Sequence, residues 1–505
     1  MRSRLIILVA LLFVGCPIRA DVSLASLFSD HAVLQRDKPM PVWGTASAGE
    51  KVTVTFAGQS CTATAAADGR WIVFLAPLAA STQGADLSVA GKNTLVVHDI
   101  VVGDVWLCAG ESGMESPVSR GPNAEQEIAA AKFPLIRHVA IEHRVATAPA
   151  DFAATSGWKP ATPENTGSFT AVGYFFAREI FLKLGVPVGV VHCAWGGTPI
   201  EAWLSPLALQ QTPLAAEIDV RWQRALAEAS PEKIVRYPGE LAAWQKAEDL
   251  ARSRRAKNPL PKPAAPATSE SPERPTSLFN GMIHPLLPVA LRGVLWYQGE
   301  SNVSRAAEYR ELFAAMISAW RTHLGQGELP FFWVNLPARR DDSEAAARDR
   351  AWLREAQTRM LALPGTGQAV AIDLDDAAES RPATKQEIGR RLALLAKHRV
   401  YGLMTDDTGP TFLALAREKN SLRIFFAHVH SGLVAHDRPP QALEIAGADG
   451  VFQPAAGKIE RDTLVVSSPA VKEPVAVRYG WSNASEANLY SGAGLPAAAF
   501  RSDDW

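Results

Sequence analysis

Between Asp104 and Ala396 short apolar runs alternate with segments of helical periodicity, and this alternation constrains the fold most. Val101 to Cys108, Val186 to Ala194, Arg292 to Gln298, Pro330 to Leu336 and Gln368 to Leu374 are predominantly apolar runs with isolated polar residues. That is the pattern of strands buried on both faces. Between them, Ser304 to Leu324 places Tyr309, Leu312, Phe313, Met316, Ile317 and Trp320 on one stripe, with Gly325 in position to cap it. Thr384-Lys385-Gln386-Glu387 reads as a capping box ahead of Ile388, Leu392 and Leu395. Strands alternating with helices predict an α/β domain with a mainly parallel sheet covered on both faces.

The flanks read differently. From Asp21 to about residue 100 the pattern is all-β: Lys51 to Phe56 alternates strictly, and Cys61 to Ala65 and Trp71 to Leu75 flank Asp68-Gly69, a hairpin turn signal. A small N-terminal β-sandwich over 21–100 is expected. Ser421 to His428, Thr463 to Ser467 and Pro474 to Tyr479 predict a C-terminal β-domain over 406–505, leaving 101–405 to the α/β domain. Within that domain, 206–276 is an insertion, charged and helical in its first part and Pro-rich from Asn258 to Pro275. Met1-Arg2-Ser3-Arg4 followed by the apolar run Leu5 to Val14 predicts an export signal over 1–20, too short to span a bilayer. A secreted or periplasmic protein follows. Phe13-Val14-Gly15-Cys16 also approaches a lipobox, and a lipid anchor at Cys16 is the lesser alternative.

The net charge of −1 gives no electrostatic reason to expect nucleic acid or an anionic membrane as partner. Once the signal is removed Cys61, Cys108 and Cys193 remain; three cannot all pair, which excludes a disulfide scaffold. His428-Val429-His430 supplies two imidazoles without a third ligand, so neither a metal nor another cofactor is implied.

Ligands of an open α/β sheet sit beyond the carboxyl ends of its strands, and three strand ends carry suggestive chemistry. The first is Gly110-Glu111-Ser112-Gly113-Met114, where Ser112 is a candidate nucleophile. The second is Trp195-Gly196-Gly197-Thr198, whose glycines let backbone N–H groups approach a ligand oxygen. The third is Gln298-Gly299-Glu300-Ser301-Asn302, where Asn302 offers an amide donor beside Gln298 and Glu300. A serine, a backbone amide and a side-chain amide are the parts of an oxyanion hole for acyl transfer.

On these motifs the chain resembles the sialate O-acetylesterase family of SGNH (GDSL-like) hydrolases. Gly103 through Met114 is similar to the family's Gly-Asp-Val-Trp-Leu-Cys-Ser-Gly-Gln-Ser-Asn-Met, and Ala194 through Trp203 to its Ser-Trp-Gly-Gly-Thr-x-Ile-Glu-Ala-Trp. Trp296 through Asn302 matches Trp-Tyr-Gln-Gly-Glu-Ser-Asn residue for residue. Phe279 through Pro285 and Leu489 through Arg501 resemble two further blocks. The resemblance implies an SGNH three-layer fold and removal of O-acetyl groups from a sugar or glycan through a serine acyl-enzyme. Ser112 would be the nucleophile; its own N–H, Gly196 and Asn302 would form the oxyanion hole; Gln298, Glu300 and Glu111 would contact the sugar.

The last block departs from the family. Where the family has Asp-Ile-His-Pro, with the histidine as base, this chain has Glu379-Ser380-Arg381-Pro382, followed by the matching Lys385-Gln386-Glu387 and Gly389-Arg390-Arg391-Leu392. Arg381 stands at the histidine position, Glu379 near that of the acid, and Ala378 where the wider superfamily has Asp. A guanidinium stays charged and cannot take the Ser112 proton. Impaired catalysis is expected unless Glu111, Glu300 or His284 serves as base. The alternatives are a non-catalytic carbohydrate-binding relative, with Arg381 reading a sugar carboxylate, and an acetylxylan-type esterase.

Overall fold

In the computed structural model the described residues are 21–121, 123–254, 260–261, 263–339, 348–374, 384–436 and 438–505. The export signal with Cys16, and Ala378, Glu379 and Arg381, lie outside the described residues.

The apolar runs form the sheet that their pattern predicts. Its spatial order is Lys159–Ala161, Phe133–Ala140, Val188–Ala194, Thr94–Gly110, Gly293–Tyr297, Phe331–Asn335 and Thr366–Val370. All neighbours are parallel except Lys159–Ala161, which is antiparallel to Phe133–Ala140. Trp106 pairs with Gly293, so Trp296, three residues on, faces the other side of the sheet. Trp106 meets Phe176 of the helix Ala171–Leu184, ring centroids 4.9 Å apart. Trp296 meets Trp320 of the helix Ala306–Leu324 at 5.6 Å. Helices thus cover opposite faces of one sheet. The stripe from Tyr309 to Trp320 is buried, and Gly325 closes its helix in the left-handed conformation at φ 63°. The helix Thr384–Arg399 differs in its start: Thr384 is already helical, and the Glu387 carboxylate turns forward to Arg390 and Arg391, each at 2.7–2.8 Å, so the reciprocal cap does not form.

Thr94–Gly110 is a single 17-residue strand that begins in the N-terminal β-region and ends in the central sheet, so the boundary expected at 100/101 falls inside it. Its first half pairs with Ser81–Ala90 and Val33–Gln35. Buried Asp104 fastens the junction, taking hydrogen bonds from Arg36 at 2.9 and 3.0 Å, from Arg292 at 2.8 Å and from the Tyr401 hydroxyl at 3.0 Å. Burial pulls its carboxyl upward, but the two guanidiniums outweigh that and hold it below the usual carboxylate value.

The turn at Asp68-Gly69 is present, with Gly69 at φ 82°, but it does not make the expected hairpin. Gln59–Thr64 pairs with Lys51–Phe56, whereas Arg70–Leu75 pairs with Met40–Thr45 in a second sheet. Trp71, Val73 and Leu75 are buried while Arg70, Ile72 and Phe74 are exposed, so the strand's apolar face selects the other sheet.

The insertion opens with the helices Pro206–Gln211, Ala215–Glu228 and Pro231–Ser253. Arg221 ties it to the α/β domain through Glu201 and Glu308. At the C-terminus, one sheet joins Thr411–Glu418, Ser421–Ala427, Thr463–Ser467 and Ala456–Glu460, and a second includes Leu443–Ala446 and Ala476–Tyr479. Their core also takes in Val370 and Ile372 from the edge of the central sheet. Among the described residues no helix is long and apolar enough to cross a membrane.

Candidate active site

Sheet register brings the three strand ends to one level. Gly110 pairs with Ala194 on one side and Tyr297 on the other, so Glu111-Ser112, Trp195-Gly196 and Gln298-Gly299 all leave the sheet together. The crossing is tight. Gly110 has φ 141°, and a Cβ there would lie 2.0 Å from the Tyr297 carbonyl oxygen. The Glu111 N–H donates to that carbonyl at 2.9 Å, fixing the turn into the short helix Ser112–Glu115.

Ser112 is exposed at this edge, and Gly196 lies against it. A Cβ on Gly196 would stand 2.9 Å from Ser112 Oγ and 2.7 Å from Glu115 Oε2. Gly113 is pinned from behind: a Cβ there would fall 2.5–2.7 Å from the Tyr297 ring. That explains in this chain why a larger residue at 113, such as the Asn of the motif it resembles, does not fit without moving the ring. Lys385 sits 4.7 Å over the same ring, which carries the flank of the last block to within one side chain of the Ser112 turn.

The residues expected from the third strand end stand behind Ser112 rather than beside it. Asn302 is fully buried; its Oδ1 accepts from the Ile200 N–H at 2.9 Å and from Gln298 Nε2 at 2.8 Å, while its Nδ2 donates to Glu201 at 2.8 Å. Those bonds leave Nδ2 a second proton. Gln298, also buried, donates to the Thr198 carbonyl at 3.2 Å. Glu111 is 1% exposed and points inward, accepting from the Gly299 N–H at 2.9 Å and from Ser301 N–H and Oγ at 3.2 and 2.5 Å. Glu300 is half-buried. His284 donates from Nδ1 to the Ala150 carbonyl, 2.9 Å away, beside Phe279, so Nδ1 carries the proton.

Two residues that sequence reasoning missed complete the exposed edge. Glu115 Oε2 accepts from the Gly196 N–H at 2.6 Å, and its Oε1 lies 3.3 Å from His143 Nε2. His143 also donates from Nε2 to the Ala194 carbonyl at 3.0 Å and stacks on Trp195, centroids 4.0 Å apart. Burial pulls the Glu115 carboxyl up, but His143 and the Gly196 N–H outweigh it and hold it below its ordinary value. The Glu115 carboxylate in turn raises His143 against its burial. His192, on the strand behind, is driven down to about 4 by burial, with Glu115 opposing and His143 adding to the shift. Glu115 had one signal in the sequence: it stands three residues after Ser112, which puts both on one side of a helical turn. His143 had none, because only the fold brings residue 143 to residue 194.

Comparison with known proteins points to one family. A sialate O-acetylesterase of Rattus norvegicus is 32% identical over 420 residues, covering 75% of this chain and 73% of the relative. The chain belongs to the sialate O-acetylesterase family. A Homo sapiens sialate O-acetylesterase is 29% identical over 419 residues, covering 75% of this chain and 71% of its own length. The family model for carbohydrate esterases described as sialic acid-specific acetylesterase matches residues 271–397, which include the third strand end and the helix after the last block. The crystal structure of a carbohydrate acetylesterase from Xanthomonas citri superposes with a TM-score of 0.80 at 38% identity, covering 96% of this chain and 100% of that one. Members of the sialate O-acetylesterase family are carboxylic-ester hydrolases, and this chain is one of them by descent and by fold.

Proposed function

We propose that the protein is an exported carbohydrate O-acetylesterase that hydrolyses acetyl esters on sugar hydroxyls through an acyl-enzyme on Ser112. The observation that carries this reading is the exposed Ser112 hydroxyl set against Gly196 where parallel strands end at one level. In this reading the Ser112 and Gly196 N–H groups and the second Asn302 amide proton converge on the acetyl carbonyl oxygen as it gains charge, which is the electrostatic contribution acyl transfer needs. Gln298 and Glu111 hold those donors in place, and Glu300 faces the sugar. The surrounding layers are those of an SGNH hydrolase. The N-terminal signal over 1–20 directs the chain to the periplasm or the outside.

Arg381 in place of the family's histidine makes turnover slow. Loss of the base in a serine triad costs roughly 10⁶ in rate, while an intact oxyanion site retains about 10³ to 10⁴ over water. That substitution also favours the second reading, a carbohydrate-binding relative without turnover. The two separate in one experiment: hydrolysis of aryl acetates and O-acetylated sugars by wild type, Ser112→Ala and Arg381→His. Ser112→Ala abolishes the activity, and Arg381→His raises it by at least tenfold. It does not restore a full triad, because Ala378 leaves the new imidazole without its acid partner. Turnover indifferent to Ser112, or no turnover with retained glycan affinity, overturns the esterase reading.

A further inference from the structure

We propose that Glu115 is the proton acceptor for Ser112, with His143 as the residue that positions it. The inference rests on the esterase reading above and names the group that replaces the missing histidine. Glu115 Oε2 and Ser112 Oγ both border Gly196, at 2.7 and 2.9 Å from where its Cβ would be, with Glu115 bound to the Gly196 N–H and not directly to Ser112 in this resting arrangement. The two side chains rise from one turn of the helix Ser112–Glu115. The other carboxylate at this strand end, Glu111, is turned inward and bound by Gly299 and Ser301. Glu115 is held from the far side by His143, which is itself fixed by the Ala194 carbonyl and the Trp195 ring.

The Gly196 N–H links proton transfer to oxyanion formation. In the resting arrangement this donor is bound to the Glu115 carboxylate. As Glu115 takes the Ser112 proton, the Oγ–carbon bond forms and the carbonyl π pair moves onto oxygen. Negative charge therefore leaves Glu115 as it appears on the acetyl oxygen. The N–H then turns from a neutral carboxylic acid to an oxyanion, the stronger acceptor. Collapse of the tetrahedral intermediate breaks the bond to the sugar oxygen, which receives the proton from Glu115. Water repeats the sequence: it gives a proton to Glu115, attacks the acetyl-serine carbon, and Oγ leaves with that proton, releasing acetic acid that ionises in solvent.

The groups facing Glu115 are His143 from the loop after Phe133–Ala140, His192 from Val188–Ala194, and Ser112 on its own turn; His192 in turn faces His138. With Glu115 held below the ordinary carboxylate value, activity rises with pH through an acidic limb rather than through the limb near 6.5 that a histidine base gives. It declines at higher pH as His143, raised by Glu115, loses its charge.

The test is kcat/KM for aryl acetate hydrolysis across pH 3.5 to 9, about the accessible range, together with mass-spectrometric labelling of Ser112 by an aryl fluorophosphonate. Glu115→Gln, nearly isosteric, lowers both readouts roughly 10²- to 10⁴-fold, with its circular dichroism unchanged. His143→Ala moves the acidic limb upward, because the carboxylate loses its cation but stays desolvated; His143→Gln, which keeps a donor, moves it less. If Ser112→Ala abolishes activity while Glu115→Gln leaves it within about threefold, or if the limb stands near 6.5, this inference fails and the esterase reading survives. If no Ser112-dependent turnover or labelling exists in the wild type, both fall.

Discussion

The exposed edge formed by Ser112, Gly196, Glu115 and His143 contrasts with the buried lattice of Glu111, Glu201, Gln298, Ser301 and Asn302 directly behind it. The lattice contains the stretch that matches the family motif residue for residue, yet Glu111, Gln298 and Asn302 are at most 1% exposed. Their polar atoms bond mainly to one another and to the backbone of residues 198–200 and 299–301. The edge holds the titratable pair, and two of its members carry no motif at all. Motif similarity therefore spans both regions: it covers Ser112 and Gly196 of the edge as well as the buried residues that hold the strand ends in register, and misses only Glu115 and His143. A buried polar lattice tolerates little change because each unmet donor loses its full solvation; an exposed edge has water as a substitute partner.

Substitutions at the two regions sharpen that contrast. Gly196→Ala places a methyl against Ser112 Oγ and Glu115 Oε2 and moves the N–H; it lowers kcat by about 10² or more, in the range of losing one oxyanion donor, with a small effect on stability. Comparable losses of rate and stability would mean that edge and lattice are one unit. Glu111→Ala strands the Gly299 and Ser301 donors and lowers unfolding free energy by about 2 to 3 kcal/mol, read from urea denaturation. Should it change only the rate, Glu111 belongs to the edge. A further test lies at Asp104, away from both regions. Its folded pKa is depressed, so its contribution is present above the ordinary carboxylate value and disappears as pH falls through the folded one. Asp104→Asn accordingly lowers the melting temperature at neutral pH, and its difference from wild type closes under acid.

The sequence made the central sheet legible because strands buried on both faces must be mostly apolar; in the C-terminal β-region Thr463–Ser467, with one buried face, was readable to the residue. The helix Ala306–Leu324 was legible for the related reason that one stripe must face the sheet. The turn at Asp68-Gly69 was legible as a turn but not as a crossing between sheets, since turn chemistry is local and pairing is not. The reading of Thr384 to Glu387 as a cap failed for a similar reason: Arg390 and Arg391, one helical turn on, outcompete the backbone N–H for the Glu387 carboxylate.

By itself, the sequence determined the α/β architecture, the family and the position of Ser112, because periodicity and motif spacing are properties of neighbours along the chain. It also supplied the expectation that Arg381 stands where the family motif has histidine, a matter of identity alone. Tertiary structure decided which polar residues of the three strand ends face inward and which face out, and it alone joined His143 to Glu115. Parallel strands meet through crossovers many residues long, so the groups gathered at their ends carry no fixed spacing in the chain.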